Sequence, residues 1–360
     1  MDLLDSIALS SLSVAVRRRG ASVLAEVGEA TGETVEPTLE GLLRAADPDR
    51  DISATATAAR VRAERTLADA ARRDLQPLGW HDSRFPRLLS AIFDPPPALW
   101  LVGQIGALAG PAVAVVGSRA GSPYALEVAE RLAADLAARG VTIVSGLARG
   151  VDSAAHRGAL SVGGATVAVL GSGADVIYPP EHRGLAREIA RSGAVVSEFP
   201  PGTPPRPAQF PLRNRLMSGM SLAVVVVEAS EKSGSLITAG CALEQGRDVM
   251  VVPGSVLTGR NRGSHALLRD GAKIVESADD ILEELGLSVP GRDNPRPSNE
   301  APMVDAVLGS MSDGETYNLD ELAAGSGIDA ARLLSRLLAL ELAGHVRRVG
   351  GGRFARCRPK

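Results

Sequence analysis

The chain has 360 residues, 45% of them hydrophobic and 22% charged, an ordinary globular composition with room for two or three domains. Its formal net charge of −3 excludes a protein that is polycationic as a whole, so any nucleic-acid-binding surface has to be local. Two cysteines far apart, Cys241 and Cys357, exclude a disulfide scaffold, show no metal spacing and fit a reducing compartment.

Met1-Asp2-Leu3-Leu4-Asp5 lacks the basic start of a secretory signal, and the longest apolar strand-like run, Leu222 to Val227, is too short for a bilayer. A cytoplasmic protein without membrane contact is expected. Residues 1–75 are rich in Ala, Leu and Arg at helical spacing, with Leu3, Leu4, Ile7 and Leu24 on one apolar face and breaks at Pro37 and Pro48; they read as a small helical (SAM-like) domain. Residues 76–110, with Phe85-Pro86 and Asp94-Pro95-Pro96-Pro97, read as an extended connector.

From Pro111 the pattern changes. Apolar runs rich in β-branched residues (Ala112–Val116, Val141–Val144, Thr166–Leu170, Ala194–Ser197, Leu222–Val227, Asp248–Val252 and Ala272–Val275) alternate with helical stretches such as Tyr124–Arg139. Non-alternating apolar strands belong in a parallel sheet covered on both faces. The spacing predicts a doubly wound, mostly parallel α/β domain of Rossmann type over 111–286, the connector making 76–286 one extended core. Residues 287–301 are a linker by composition. Residues 302–360 hold three short helical patterns, the second from Asn318 and the third from Asp329. Two strand-like runs about Gly350-Gly351-Gly352 follow, the layout of a winged helix.

In an open parallel sheet, ligands bind beyond the C-terminal strand ends, and these ends carry Gly117-Ser118-Arg119, Ser145-Gly146, Gly171-Ser172-Gly173, Ser197-Glu198 and Glu228, the last running on to Ser233-Gly234-Ser235. Glycines allow close approach to phosphate, helix N-termini present free N–H groups, hydroxyls donate, and Arg119 can grip phosphate with two nitrogens. Each alone has a structural reading: tight turns for the glycines, helix caps for Asp152 and Asp175, satisfied carboxylates for Glu198 and Glu228. Jointly they describe one anion-binding crevice. The segment Thr203–Leu216 adds Arg206, Arg213 and Arg215 with Phe210 between them and no acid, chemistry that suits a single strand by charge on the backbone and a ring on a base. The alternative is a segment that docks Phe210 in the core while Arg213 and Arg215 cap strand ends.

In their order, these motifs resemble the DNA-processing protein A (DprA/Smf) family. The likeness rests on Gly117-Ser-Arg119, Ser145 through Asp152 with Ala155-His156, Gly171 through Asp175 with Tyr178-Pro179, and Ser197-Glu-Phe-Pro200. It continues through Phe210-Pro-Leu-Arg-Asn-Arg215, Ser233 through Ala239, Val252-Pro-Gly254 and Gly271-Ala272. The family often has a basic residue just after this Phe-Pro, where Leu212 stands here. The resemblance implies a homodimer that binds and protects incoming single-stranded DNA in natural transformation and helps load the recombinase RecA, with no catalytic step, cofactor or metal. It places DNA contacts on Gly117, Ser118, Arg119, Phe210, Arg213, Asn214 and Arg215; the other strand ends add Gly146, Gly171, Ser172, Gly173 and Ser235.

Three rival functions are weaker. A phosphoribohydrolase needs a Pro-Gly-Gly-x-Gly-Thr run, whereas Pro253-Gly254 is followed by Ser255, leaving Glu228 and Glu244 as conceivable acids. A dehydrogenase needs Gly-x-Gly-x-x-Gly, whereas Arg119 holds the place of the second glycine. A duplex-binding regulator could use the basic tail from His345, which a solvated terminus explains equally.

Overall fold

The computed structural model describes residues 2–12, 38–47, 51–287, 306–312, 315–328, 333, 336–337, 340–341, 345–349 and 353–357. Leu24, Pro37, Pro48, the linker from 288 to 301 and the Gly350–Gly352 turn lie outside them. The chain divides into two units, Met1–Ser288 and Val289–Lys360.

The first unit opens with helices α1 (Leu3–Ser10), α2 (Leu39–Ala46) and α3 (Ile52–Arg72). It continues with β1 (Gln76–Gly79), α4 (Arg87–Ser90), β2 (Ala98–Gly103), β3 (Ala112–Val116), α5 (Pro123–Ala137), β4 (Thr142–Ser145), α6 (Val151–Ser161), β5 (Thr166–Val169), α7 (Arg183–Ser192) and β6 (Ala194–Ser197). Then come α8 (Gln209–Gly219), β7 (Ala223–Val226), α9 (Ser235–Glu244), β8 (Asp248–Val251), α10 (Arg262–Arg269), β9 (Lys273–Ile274) and α11 (Ala278–Glu284). The nine strands form one sheet in the order β1-β2-β6-β5-β4-β3-β7-β8-β9. From β6 to β9 every pairing is parallel, as the Val-rich runs require.

All five residues of β3 are buried, and they alternate between two cores. Ala112, Ala114 and Val116 face the side that holds Leu89, Leu216, Met217 and Ala239. Val113 and Val115 face Ala129, Leu132, Val151 and Ile281. Helix α5 starts where Ser122 accepts a hydrogen bond from the Ala125 N–H and Pro123 follows, the pairing of cap and first-turn proline that orphan amides favour. Gly158 lets α6 lie tight on α5, because a Cβ there would overlap the Glu130 carbonyl.

Two parts of the first unit differ from the sequence expectation. The connector does more than run extended: β1 pairs antiparallel with β2, and β2 antiparallel with β6, so it adds two strands to the sheet edge. The N-terminal helices share a core with this edge, Ile7, Leu39, Leu43 and Ala63 packing with Trp100 and Ala174.

In the second unit, α12 (Ala306–Gly309), β10 (Thr316–Tyr317), α13 (Leu319–Ser326), β11 (Val346–Val349) and β12 (Arg353–Arg356) surround Val307, Leu322, Val346 and Phe354. Asn318 and Glu321 form a reciprocal capping box on α13, and the sheet order is β10-β12-β11. The third helical pattern, from Asp329, falls largely outside the described residues. Among the described residues no helix is long and apolar enough to cross a membrane.

A titratable group lies inside the first unit. His156 on α6 is fully buried, with Nδ1 2.7 Å from the Thr166 hydroxyl. That hydroxyl donates to the Ile143 carbonyl, so Nδ1 carries the proton that Thr166 accepts. Nε2 has no partner. Burial, reinforced by Arg213, lowers the imidazole to about 3. The unfolded chain binds this proton near the ordinary value of about 6.5, so stability falls as pH drops from there toward the folded value, by up to about 1.4 kcal/mol per pH unit. Urea midpoints followed between about pH 7 and pH 4 are expected to fall more steeply for the wild type than for His156→Gln; equal slopes would show that the buried ring is not the acid-sensitive group.

Candidate nucleic-acid interface

The chain winds one way from β3 through β4 and β5 to β6 and the other way from β7 through β8 to β9. The strand order therefore reverses between β3 and β7, the place where open α/β sheets bind ligands. There lies a cleft of about 630 Å³, walled by the loop after β3, the first turns of α8, and the loop into α9. Gly117, Ser118, Arg119, Phe210, Arg213, Asn214 and Ser235 of the expected set line it.

At its mouth Arg119 is exposed and makes no ion pair among the described residues. Its guanidinium carbon lies 5.6 Å from the centroid of the Phe210 ring. Phe210 is half-buried and meets Tyr178 at 5.7 Å between ring centroids, the planes inclined by 51°. It is therefore not a core residue, and a flat apolar face sits beside a free cation. Lys232, also exposed and without an ion pair among the described residues, stands across the cleft before α9. Arg206 is exposed as well but outside the cleft lining.

The other arginines serve the framework. Arg213 is buried at 4% exposure. Its Nη1 donates to the Gly146 carbonyl at 2.8 Å and to the Val169 carbonyl, and Nε donates to the Asn214 side chain at 3.3 Å. Burial lowers this guanidinium to about 10, against the pull of Asp152 and with the repulsion of Arg119, and it still carries its charge at neutral pH. Asp152, buried too, is raised by burial and held back by Arg213 and by the Ala148 and Gly146 amides. Arg215 pairs with Glu198 at 2.5 Å and Asp94 at 3.7 Å, with only 12% of its side chain exposed. Arg213 thus caps strand ends and Arg215 neutralises acids, while Phe210 stays at the cleft.

The remaining expected positions support the walls. The Gly146 carbonyl receives Arg213. Gly171 faces the Phe210 ring, where a Cβ would come within 3.1 Å. Ser172 is buried and donates to the Val176 carbonyl, so its hydroxyl is committed within its own turn. The Gly173 amide holds the Thr203 carbonyl at 2.9 Å. Ser235 shares a 2.7 Å hydroxyl contact with Ser233. Among the lining residues that the sequence reading did not assign to the site are Tyr178 and Lys232; Tyr178 stood in a quoted motif and Lys232 is one of only three lysines in the chain.

Two acids near the cleft are occupied elsewhere. Glu228 is buried and accepts from the Ser122 hydroxyl at 2.6 Å and from its amide. Asp175 accepts from the Gly202 amide at 2.9 Å and from Arg73 at 2.8 Å, which ties the end of α3 to the turn before α8. Among the described residues no cluster of His, Cys, Asp and Glu could hold a metal.

Residues 76–286 match the family model described as DNA recombination-mediator protein A, and residues 292–352 match the DprA winged helix domain. Protein Smf of Escherichia coli is 43% identical over 281 residues, which cover 75% of either chain. DNA processing protein DprA of Streptococcus pneumoniae is 45% identical over 203 residues, 56% of this chain and 72% of that protein. The X-ray structure of DNA processing protein A from Streptococcus pneumoniae superposes with a TM-score of 0.67 at 35% identity, covering 79% of this chain and 98% of that one. A structure that addresses the single-stranded DNA binding mode of DNA processing protein A from Helicobacter pylori gives 0.54 at 31% identity, covering 59% and 95%. A doubly wound core with its cleft at the switch point, a winged helix unit and these likenesses agree: the chain belongs to the DprA/Smf family.

Proposed function

We propose that this protein binds single-stranded DNA in the cleft between β3 and β7, protects incoming strands in natural transformation, and helps load RecA on them from the cytoplasm. The observation that carries this reading is the exposed, unpaired Arg119 stacked on the half-buried Phe210. A cation beside an aromatic face takes a phosphate and a base together, without reading sequence. The Helicobacter pylori relative, whose structure concerns single-stranded DNA binding, supports it. In this reading the protein binds and does not turn its ligand over; Glu228, one of the acids the phosphoribohydrolase alternative would use, is buried against Ser122 outside the cleft lining.

The same proposal includes a homodimer through the α/β core, as the family resemblance implies. Of the stretch Ile274–Ile281 that suggested it, Ile281 is core, whereas Ile274 is 60% exposed on the edge strand β9. A dimer through this edge would cover it.

Two variants test the cleft by titration with oligonucleotides across a salt series. Arg119→Ala is expected to weaken binding to all sequences alike and to flatten the log–log salt dependence by about 0.7. Phe210→Ala is expected to cost roughly 1–3 kcal/mol of affinity with the salt slope nearly unchanged. Normal binding by both would move the DNA site away from the cleft.

Arg213→Met is expected to act on the fold, by about 3 kcal/mol or more, since it leaves Asp152 and two carbonyls without their buried partner. A variant that melts like the wild type but fails to bind would instead make Arg213 a direct contact.

A further inference from the structure

Helix α7 carries a second set of cations. Arg183, Arg187 and Arg191 recur every four residues, all three are exposed, and none makes an ion pair or side-chain hydrogen bond with a described residue. Leu185, Ala186 and Ile189 face the protein, so the arginines form a stripe on the outer side. Glu188, the one acid on α7, lies about 100° round from Arg187 and three residues before Arg191, and makes no ion pair with either.

A surface helix usually bears such residues in pairs with acids at i±3 or i±4, and it prefers acids in its first turn. Here the first turn holds no acid and begins with Arg183, a cation at the end where the helix dipole is already positive. Arg191 in the last turn suits the dipole; Arg183 opposes it. The stripe is thus kept against a small local cost.

Its position connects it to the cleft. Tyr178 lines the cleft, and only Pro179 and the turn Pro180–His182 separate it from α7. His182 donates from Nδ1 to the Leu147 carbonyl at 2.8 Å, which fixes the start of α7 beside the loop whose next residue, Ala148, also lines the cleft. The one acid on this route, Glu181, is engaged by Arg149, with Nε at 2.6 Å.

We propose that a single strand held in the cleft leaves it past Tyr178 and continues along α7, its phosphates resting on Arg183, Arg187 and Arg191. Four helical residues advance about 6 Å, close to the distance between successive phosphates of an extended strand, so each arginine meets one phosphate in turn. This track rests on the reading of the cleft as a single-strand site and lengthens that site; it contacts only backbone, so it adds affinity without sequence preference.

The test uses the full-length protein and oligothymidylates of two lengths, about 6 nucleotides to fill the cleft alone and about 20 to reach α7. The triple variant Arg183→Ala, Arg187→Ala, Arg191→Ala is expected to bind the short strand like the wild type. On the long strand it loses about tenfold in affinity at moderate salt, and its log–log salt slope flattens by about 2. The corresponding triple lysine variant keeps the charge and restores that slope. Wild-type affinity and slope on the long strand would overturn the track. Equal losses on both lengths, or a loss confined to duplex DNA, would overturn it too. Failure of the cleft reading has a separate signature: Arg119→Ala binds the short strand normally. If the triple variant then still loses on the long strand, α7 holds DNA independently of the cleft, and the continuation from the cleft falls with the cleft assignment.

Discussion

The buried guanidinium of Arg213 is the contact on which the site depends. It joins α8 to the ends of β4 and β5 through two carbonyls and faces the buried carboxyl of Asp152. Apolar packing under α8, from Leu216 and Met217, is non-directional and would allow the helix to shift. The hydrogen bonds of Arg213 do not, because planar donors in a water-poor place have few alternative geometries. Asn214 carries the restraint further, donating to the Gly234 carbonyl at 3.3 Å at the start of α9. One turn of α8 thereby sets both walls of the cleft, and Phe210, three residues before Arg213, takes its place from the same turn.

A division among cations follows. In a chain with a net charge of −3, basic character at one place must come from arginines whose acids are absent. Arg215, Arg73 and Arg149 all have carboxylate partners, whereas Arg119 and Lys232 have none among the described residues. Glu228, close to the cleft, is buried and satisfied from within by Ser122. The local potential is thus positive although the molecule is slightly acidic, and overall charge is a poor guide to its ligand.

Much of this was legible in the sequence because it rests on local rules. Val-rich runs without alternation mark strands buried on both faces, and the glycine- and serine-rich ends of those runs mark the cleft. What stayed illegible depends on partners distant along the chain. Nothing in Phe210 through Arg215 says that Arg213 is buried and Arg215 ion-paired, since the deciding groups, Gly146, Val169, Glu198 and Asp94, come from other elements. Prolines at 204, 205, 207 and 211 obscured α8, yet Pro211 falls in its first turn, where the missing N–H costs nothing. The strands β1 and β2 were obscured by the prolines around them, and the partner of β2, β6, lies far along the chain.

That last pairing also governs the order in which the molecule can be assembled. During synthesis, α1 to α3 and the local β1–β2 ribbon leave the ribosome before β6, with Trp100 among the residues they have to bury. The far edge of β2 meets only β6, with Trp100 opposite Ser197, and β6 is made after three further strands and their helices. A two-stranded ribbon alone is marginal in water, and closing so long a loop is slow. The nascent N-terminal segment must therefore keep an open strand edge until residue 197 has emerged, and it is during this interval that the chain is most exposed to pairing with a neighbour.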